Sequence, residues 1–173
     1  MSSKEPTGNL RALAHPLRLR LLSLLTGTAM SAAEAARELD DTQANVSYHL
    51  RRLHDAGLLY VVEEVSVRGG RAKRYRHDPA SGRRFLARDP DEEALLAATL
   101  AGELRRRTDY RRPGSPSAMT DAELWVDEHT WQQALAHARA LSVLLHKAAK
   151  PPRTRGTRRV SATISMFAMD SRR

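Results

Sequence analysis

No cysteine occurs in the 173 residues, which excludes disulfides, thiolate-held metals, iron–sulfur clusters, cysteine nucleophiles and thiol redox sensing. Long apolar runs are missing as well: stretches such as Ala94 to Leu100 fall far short of the roughly 18 residues that a membrane span needs. The first residues lack the basic-then-apolar order of a signal peptide. A cytoplasmic chain with no membrane partner is therefore expected. Lysine is scarce, with 4 against 25 arginines; the bias suits bidentate contacts to phosphate and guanine, and GC-rich coding produces it too. Catalytic signatures are also lacking. There is no Walker motif, Gly-rich dinucleotide loop or nucleophile elbow, and Ser115 and Ser117 stand in a proline-rich stretch without a positioned base. The expectation is a protein that is not an enzyme and uses no cofactor.

The hydrophobic fraction of 41% is ordinary for a soluble domain, and the length fits one domain or one domain with an extension. The 29 basic and 20 acidic side chains leave a net charge of +9, unevenly placed. Residues 1–80 carry +3, 81–112 carry +2, 113–150 carry −1 and 151–173 carry +5. An N-terminal block and a short tail thus hold the basic excess, which suggests a nucleic-acid partner without proving one.

Residues 1–8, with Ser2, Ser3, Pro6 and Gly8, lack apolar periodicity and read as a flexible terminus. A short helical turn from Leu10 to Ala14 leads to His15 and Pro16, and proline is well placed at a first helical position. A helix is expected from Pro16 to about Leu25, with Leu17, Leu21, Leu24 and Leu25 on one stripe, Leu22 beside it, Arg18 and Arg20 off it, and Gly27 as its stop. Ser31 and Glu34 form a capping-box pattern, so a second helix should span Ala32 to about Leu39. Asp40, Asp41 and Thr42 then offer oxygen caps to a third helix, Gln43 to about Ala56, whose inner face is Val46, Leu50 and Leu53. Two short helices joined by a tight turn, the first alanine-rich so that the second crosses it closely, make a helix-turn-helix. From Leu59 the apolar period changes to two, Gly69 and Gly70 mark a hairpin turn, and Arg71 to His77 supplies the return strand. Residues 9–80 therefore read as a winged helix.

Beyond it, residues 81–112 hold a connection anchored by Phe85 and Leu86, then a helix from Asp91 to Arg107 whose end charges suit the helix dipole. Its Leu96, Leu100 and Leu104 ridge is expected to dimerise. Residues 113–121 read as a linker. Residues 122–169 are expected to fold as strand, helix and strand: Ala122 to Asp127 pairs with Val160 to Ala168, both packing on a helix from Glu128 to Ala149 with Trp131, Leu135, Ala138, Leu141 and Leu145 on one face. Arg153 to Arg159 would be a loop. The fold class is α+β: a winged helix-turn-helix, a dimerisation helix and a small C-terminal α/β element.

Facing Val46, Leu50 and Leu53 inward puts Gln43, Asn45, Ser47, Tyr48, Arg51 and Arg52 on the other faces of the third helix. Gln and Asn can pair bidentately with adenine, Arg with guanine, and hydroxyls with bases or phosphates. The alternative is an ordinary solvated helix face. Around the hairpin Arg68, Arg71, Lys73, Arg74 and Arg76 would form a cationic edge able to follow phosphates or enter a narrow minor groove. The alternative there is charge decoration that keeps a sheet edge from pairing.

The stretch Thr42-Gln-Ala-Asn-Val-Ser-Tyr-His-Leu-Arg-Arg-Leu-His-Asp-Ala-Gly-Leu-Leu, with its core Val46-Ser47-Tyr48-His49-Leu50, Leu53 and Ala56-Gly57-Leu58, resembles the recognition helix of the arsenic-repressor (ArsR) family of bacterial winged-helix regulators. The upstream Leu10-Arg-Ala-Leu-Ala-His-Pro-Leu-Arg-Leu-Arg-Leu-Leu is similar to that family's opening helix, so the resemblance covers about residues 9–77. It implies a homodimeric repressor or activator that binds double-stranded DNA, with the recognition helix in the major groove and the wing beside the minor groove. His49 resembles a DNA-contacting position, with a packed or capping histidine as the alternative. The longer C-terminal half resembles the appended region of a helix-turn-helix subgroup common in actinobacteria. Metal sensing is the family's usual function, and Asp127 with His129 imitates the start of a carboxylate–histidine site. His137 and His146 fall at the wrong helical spacing to complete it on one helix, which leaves no metal site except one assembled across a dimer. A DNA-compacting architectural protein is the other functional reading; it would bind all sequences nearly equally.

Overall fold

The computed structural model describes residues 10–67, 70–78, 81 and 89–170. The terminus 1–8, Arg68, Gly69 and the Phe85 and Leu86 anchor lie outside the described residues. A 3-10 turn, Leu10–Ala12, precedes helices α1 (Pro16–Gly27), α2 (Ala32–Leu39) and α3 (Gln43–Asp55), the hairpin β1 (Leu59–Val67) and β2 (Gly70–His77), and helices α4 (Pro90–Thr108) and α5 (Glu128–Ala148).

Local chemistry sets the first boundaries. His15 caps α1, its Nδ1 accepting from the Leu17 N–H at 3.2 Å, with Pro16 in the first turn. Both halves of the capping box form at α2: the Glu34 N–H donates to Ser31 Oγ (3.3 Å) and the Ser31 N–H to Glu34 Oε2 (2.7 Å). Asp40 ends that helix in the left-handed region (φ 53°), and Thr42 caps α3 by accepting from the Asn45 N–H. At the far end of α3 Gly57 turns left-handed (φ 72°), and the Leu58 N–H closes on the Leu53 carbonyl at 2.9 Å.

These turns bring three apolar faces together. Leu17, Leu21 and Leu25 of α1 meet Ala35 and Ala36 of α2 and Val46, Leu50 and Leu53 of α3 in one buried cluster. The small α2 residues let α3 cross closely, and the hairpin seals the cluster with Leu58, Leu59 and Tyr75. Met30 and Tyr75 exchange two backbone hydrogen bonds, so the α1–α2 connection acts as a third, one-residue strand beside the wing. The β1–β2 register runs from Leu59 opposite His77 to Val67 opposite Gly70, with a bulge between Val61 and Glu63 that leaves Val62 without a partner in the register. This is an α+β winged helix-turn-helix.

Helix α4 docks through carboxylates rather than through its leucines. Glu92 is buried, accepting from the Leu10 N–H (3.1 Å) and lying 3.3 Å from Arg11 Nε. Glu103, 4% exposed, lies 3.4 Å from Arg20 Nε and takes a two-pronged contact from Arg106. Leu96 and Leu100 are half-buried and Leu104 is exposed.

The expected strand pair is not formed. Residues 122–127 and 160–168 are irregular chain, so the expected C-terminal α/β element is a single helix with irregular flanks. Residues 161–163 instead meet α4, where Arg107 Nη1 donates to Ser161 Oγ, the Ala162 carbonyl and Thr163 Oγ1 at 3.3–3.4 Å. Leu124, Trp125, Val160 and Phe167 consequently stay exposed.

Candidate nucleic-acid interface

The inward face of α3 is fully enclosed: Val46, Leu50 and Leu53 are 0% exposed. By helical geometry its outward face carries Gln43, Asn45, Tyr48, Arg51 and Arg52, all exposed, with Ser47 half-buried at the margin. Asn45 is tied on one side, its Nδ2 donating to both Asp41 oxygens at 3.0 and 3.3 Å. That bond, with the Thr42 N–H, holds the Asp41 carboxyl below its ordinary range. The Asp41 contact orients the Asn45 amide while leaving its Oδ1 without a hydrogen bond among the described residues.

His49 is inward, at 6% exposure. Its ring lies 4.3 Å from that of His15 and meets Tyr48 edge-on at 5.1 Å, and its Nδ1 has no hydrogen-bond partner among the described residues. Burial, then its neighbour His15, then Arg18 lower its pKa; burial, then Arg18 and Arg20 lower that of His15. The packed position is the one this fold gives His49, on the inner face of α3. Arg18, which periodicity merely sets off the α1 stripe, stands beside this pair and donates to the Arg11 carbonyl at 2.6 Å; burial and then the positive charge of Arg52 lower its pKa. Its position three residues after His15 on α1 is the sequence signal for that grouping.

The wing divides its cations by role. Arg71 is exposed and pairs with Glu64 at 3.2 Å, while Lys73 and Arg76 are exposed on the same strand. Arg74 differs from its fellows. Its Nη1 contacts Glu63 at 2.8 Å, its Nη2 donates to the Ala29 carbonyl at 2.6 Å, and its Nε lies 3.2 Å from Glu34 Oε2 without hydrogen-bond alignment. It clamps the hairpin to α2 and to the α1–α2 connection. Its β1 partner Glu63 is set opposite it by the bulge, which shifts which residues face each other across the ribbon.

Asp127 caps α5, accepting from the Thr130 N–H at 2.8 Å and from Thr130 Oγ1 at 3.1 Å, which occupies the carboxylate of the Asp127 and His129 pair. Among the described residues no group of three or more His, Asp or Glu is placed to hold a metal ion, and no helix is long and apolar enough to cross a membrane.

Comparison with known proteins agrees with this geometry. Residues 13–62 match the family described as a helix-turn-helix domain. A protein of Methanocaldococcus jannaschii, named as an uncharacterized HTH-type transcriptional regulator, is 38% identical over 63 residues. The match takes in 36% of this chain and spans 64% of the length of that relative.

Proposed function

We propose that the protein is a sequence-specific transcriptional regulator that binds double-stranded DNA as a homodimer, with α3 in the major groove and the β1–β2 hairpin beside the minor groove, as its resemblance to the arsenic-repressor family implies. One observation carries this reading. The solvent face of α3 presents Gln43, Arg51 and Arg52 on a helix whose other face is locked into the core, and side chains with that chemistry on a rigid helix discriminate base pairs. The regulator named in the archaeal relative supports it.

Dimerisation rests on surface. Leu95, Leu104, Leu141 and Leu144 are exposed on α4 and α5, and a second copy would cover them while setting two reading heads on successive half-sites. Footprinting on DNA upstream of the protein's own gene and of its neighbours tests the reading. Discrete protected sites are expected; uniform protection would favour the architectural alternative.

A further inference from the structure

The end of α5 is fastened to the winged helix at three separate points, none of which the proposed DNA-reading surface uses. The first is a histidine junction. His77, the last residue of β2, contacts Thr26 Oγ1 of α1 through its Nδ1 at 2.9 Å, and its ring meets that of His146 on α5 at 6.1 Å and 62°. His146 is itself oriented, its Nδ1 lying 2.7 Å from the Ser142 carbonyl. The second is a close backbone approach: a Cβ added to Gly27, at the end of α1, would collide with the carbonyl of Lys150. The third is an ion pair between Arg153 and Glu38 of α2. Between these points Pro151 and Pro152 wall a cleft whose other side is Glu34, Arg37, Glu38 and Arg74.

We propose that the last turn of α5 and residues 149–153 form a latch on the winged helix, and that proton uptake by His77 releases it. The groups acting on that imidazole come from each element around it: Thr26 from α1, His146 from α5 and Asp78 from the chain just after β2, with Leu59 of β1 opposite it in the ladder. Thr26 Oγ1 already donates to the Leu22 carbonyl at 2.8 Å. A proton on His77 would set a cation in a desolvated site that α5 partly closes, and undocking relieves the cost by admitting water.

The sign follows from the neutral form being the latched one. Burial first, then the positive charge of His146, push His77 from 6.5 down to about 4, with Asp78 pulling the other way. The latch is fully held above about pH 6.5 and loses its hold as the pH falls from there toward 4. With the released imidazole at its ordinary value, opening should rise about thirtyfold between pH 7.5 and pH 5.

Hydrogen exchange of the full-length protein, corrected for the intrinsic pH dependence of exchange, reads this without DNA, so the latch stands or falls separately from the proposed function. Amides 142–149 should lose protection by that factor between pH 7.5 and 5 while the core amides of α3 keep theirs. In His77→Gln the pH response should vanish. Gly27→Ala provides the second variant: alanine favours helix at the end of α1, yet its methyl group displaces Lys150, so amides 142–149 should already be unprotected at pH 7.5 with α3 intact. The proposal is overturned if His77→Gln responds to pH as the unmodified protein does, or if Gly27→Ala leaves amides 142–149 fully protected.

Discussion

Gln43 and Lys73 are both exposed polar side chains, one on α3 and one on the wing, yet they should fail differently when removed. A glutamine paired bidentately with a base contributes discrimination, so Gln43→Ala should narrow the gap between cognate and random DNA by about 1–3 kcal/mol. A lysine on phosphate contributes affinity to every sequence, so Lys73→Ala should weaken all duplexes alike and lower the slope of log affinity against log salt by about one unit. Titration of labelled duplexes at several salt concentrations separates the two; equal losses on cognate and random DNA for Gln43→Ala would remove α3 from base reading. Arg74 belongs in neither class, since its guanidinium is engaged by Glu63, Glu34 and the Ala29 carbonyl.

The junction of α4 with the winged helix is an element held by charge. Glu103 is 4% exposed between Arg20 and Arg106, and deleting its carboxylate strands two half-buried guanidiniums. Glu103→Ala should therefore cost about 2–4 kcal/mol, read as a lower urea midpoint, whereas Leu104→Ala on the exposed side of the same helix should cost little in a monomer. Equal midpoints for the two variants would contradict this. Elements whose limits are written in neighbouring residues were legible from sequence: the His15 and Pro16 start, the Ser31 and Glu34 box, the Thr42 cap and the Gly57 stop each act over one turn of chain. The outward residues of α3 were legible too, because the helical period assigns them once Val46, Leu50 and Leu53 turn inward. What depended on distant chain was not. The alternation in 160–168 describes a strand but says nothing of an available partner, an acidic side chain at position 92 or 103 reads as solvated until an arginine from α1 or its preceding turn reaches it, and the Arg74 clamp has no local signal; the inward turn of His49 did have one, since it stands at i+3 from Val46 on the buried stripe.

At the scale of the whole molecule the chain divides into an N-terminal unit with a closed apolar core and a C-terminal half with none. Between residues 89 and 170 the buried side chains among those described are Glu92 and Glu103. Helices of 19 and 21 residues that hide no leucine completely draw stability from outside themselves, and the proposed second copy supplies it. Replacing the exposed Leu95 and Leu104 together by Glu should give monomers in sedimentation with the winged helix still folded; a persistent dimer would move the interface off this face of α4. A dimer in turn explains how a domain with one short reading helix could select an operator, because two half-sites multiply the discrimination of one. The most direct test of the central claim, that the solvent face of α3 reads sequence, is competition binding at fixed salt between a footprinted site and a random duplex of equal length. The expected result is a preference on the order of 10³ or more for the site, and equal affinity for the two duplexes would contradict the account.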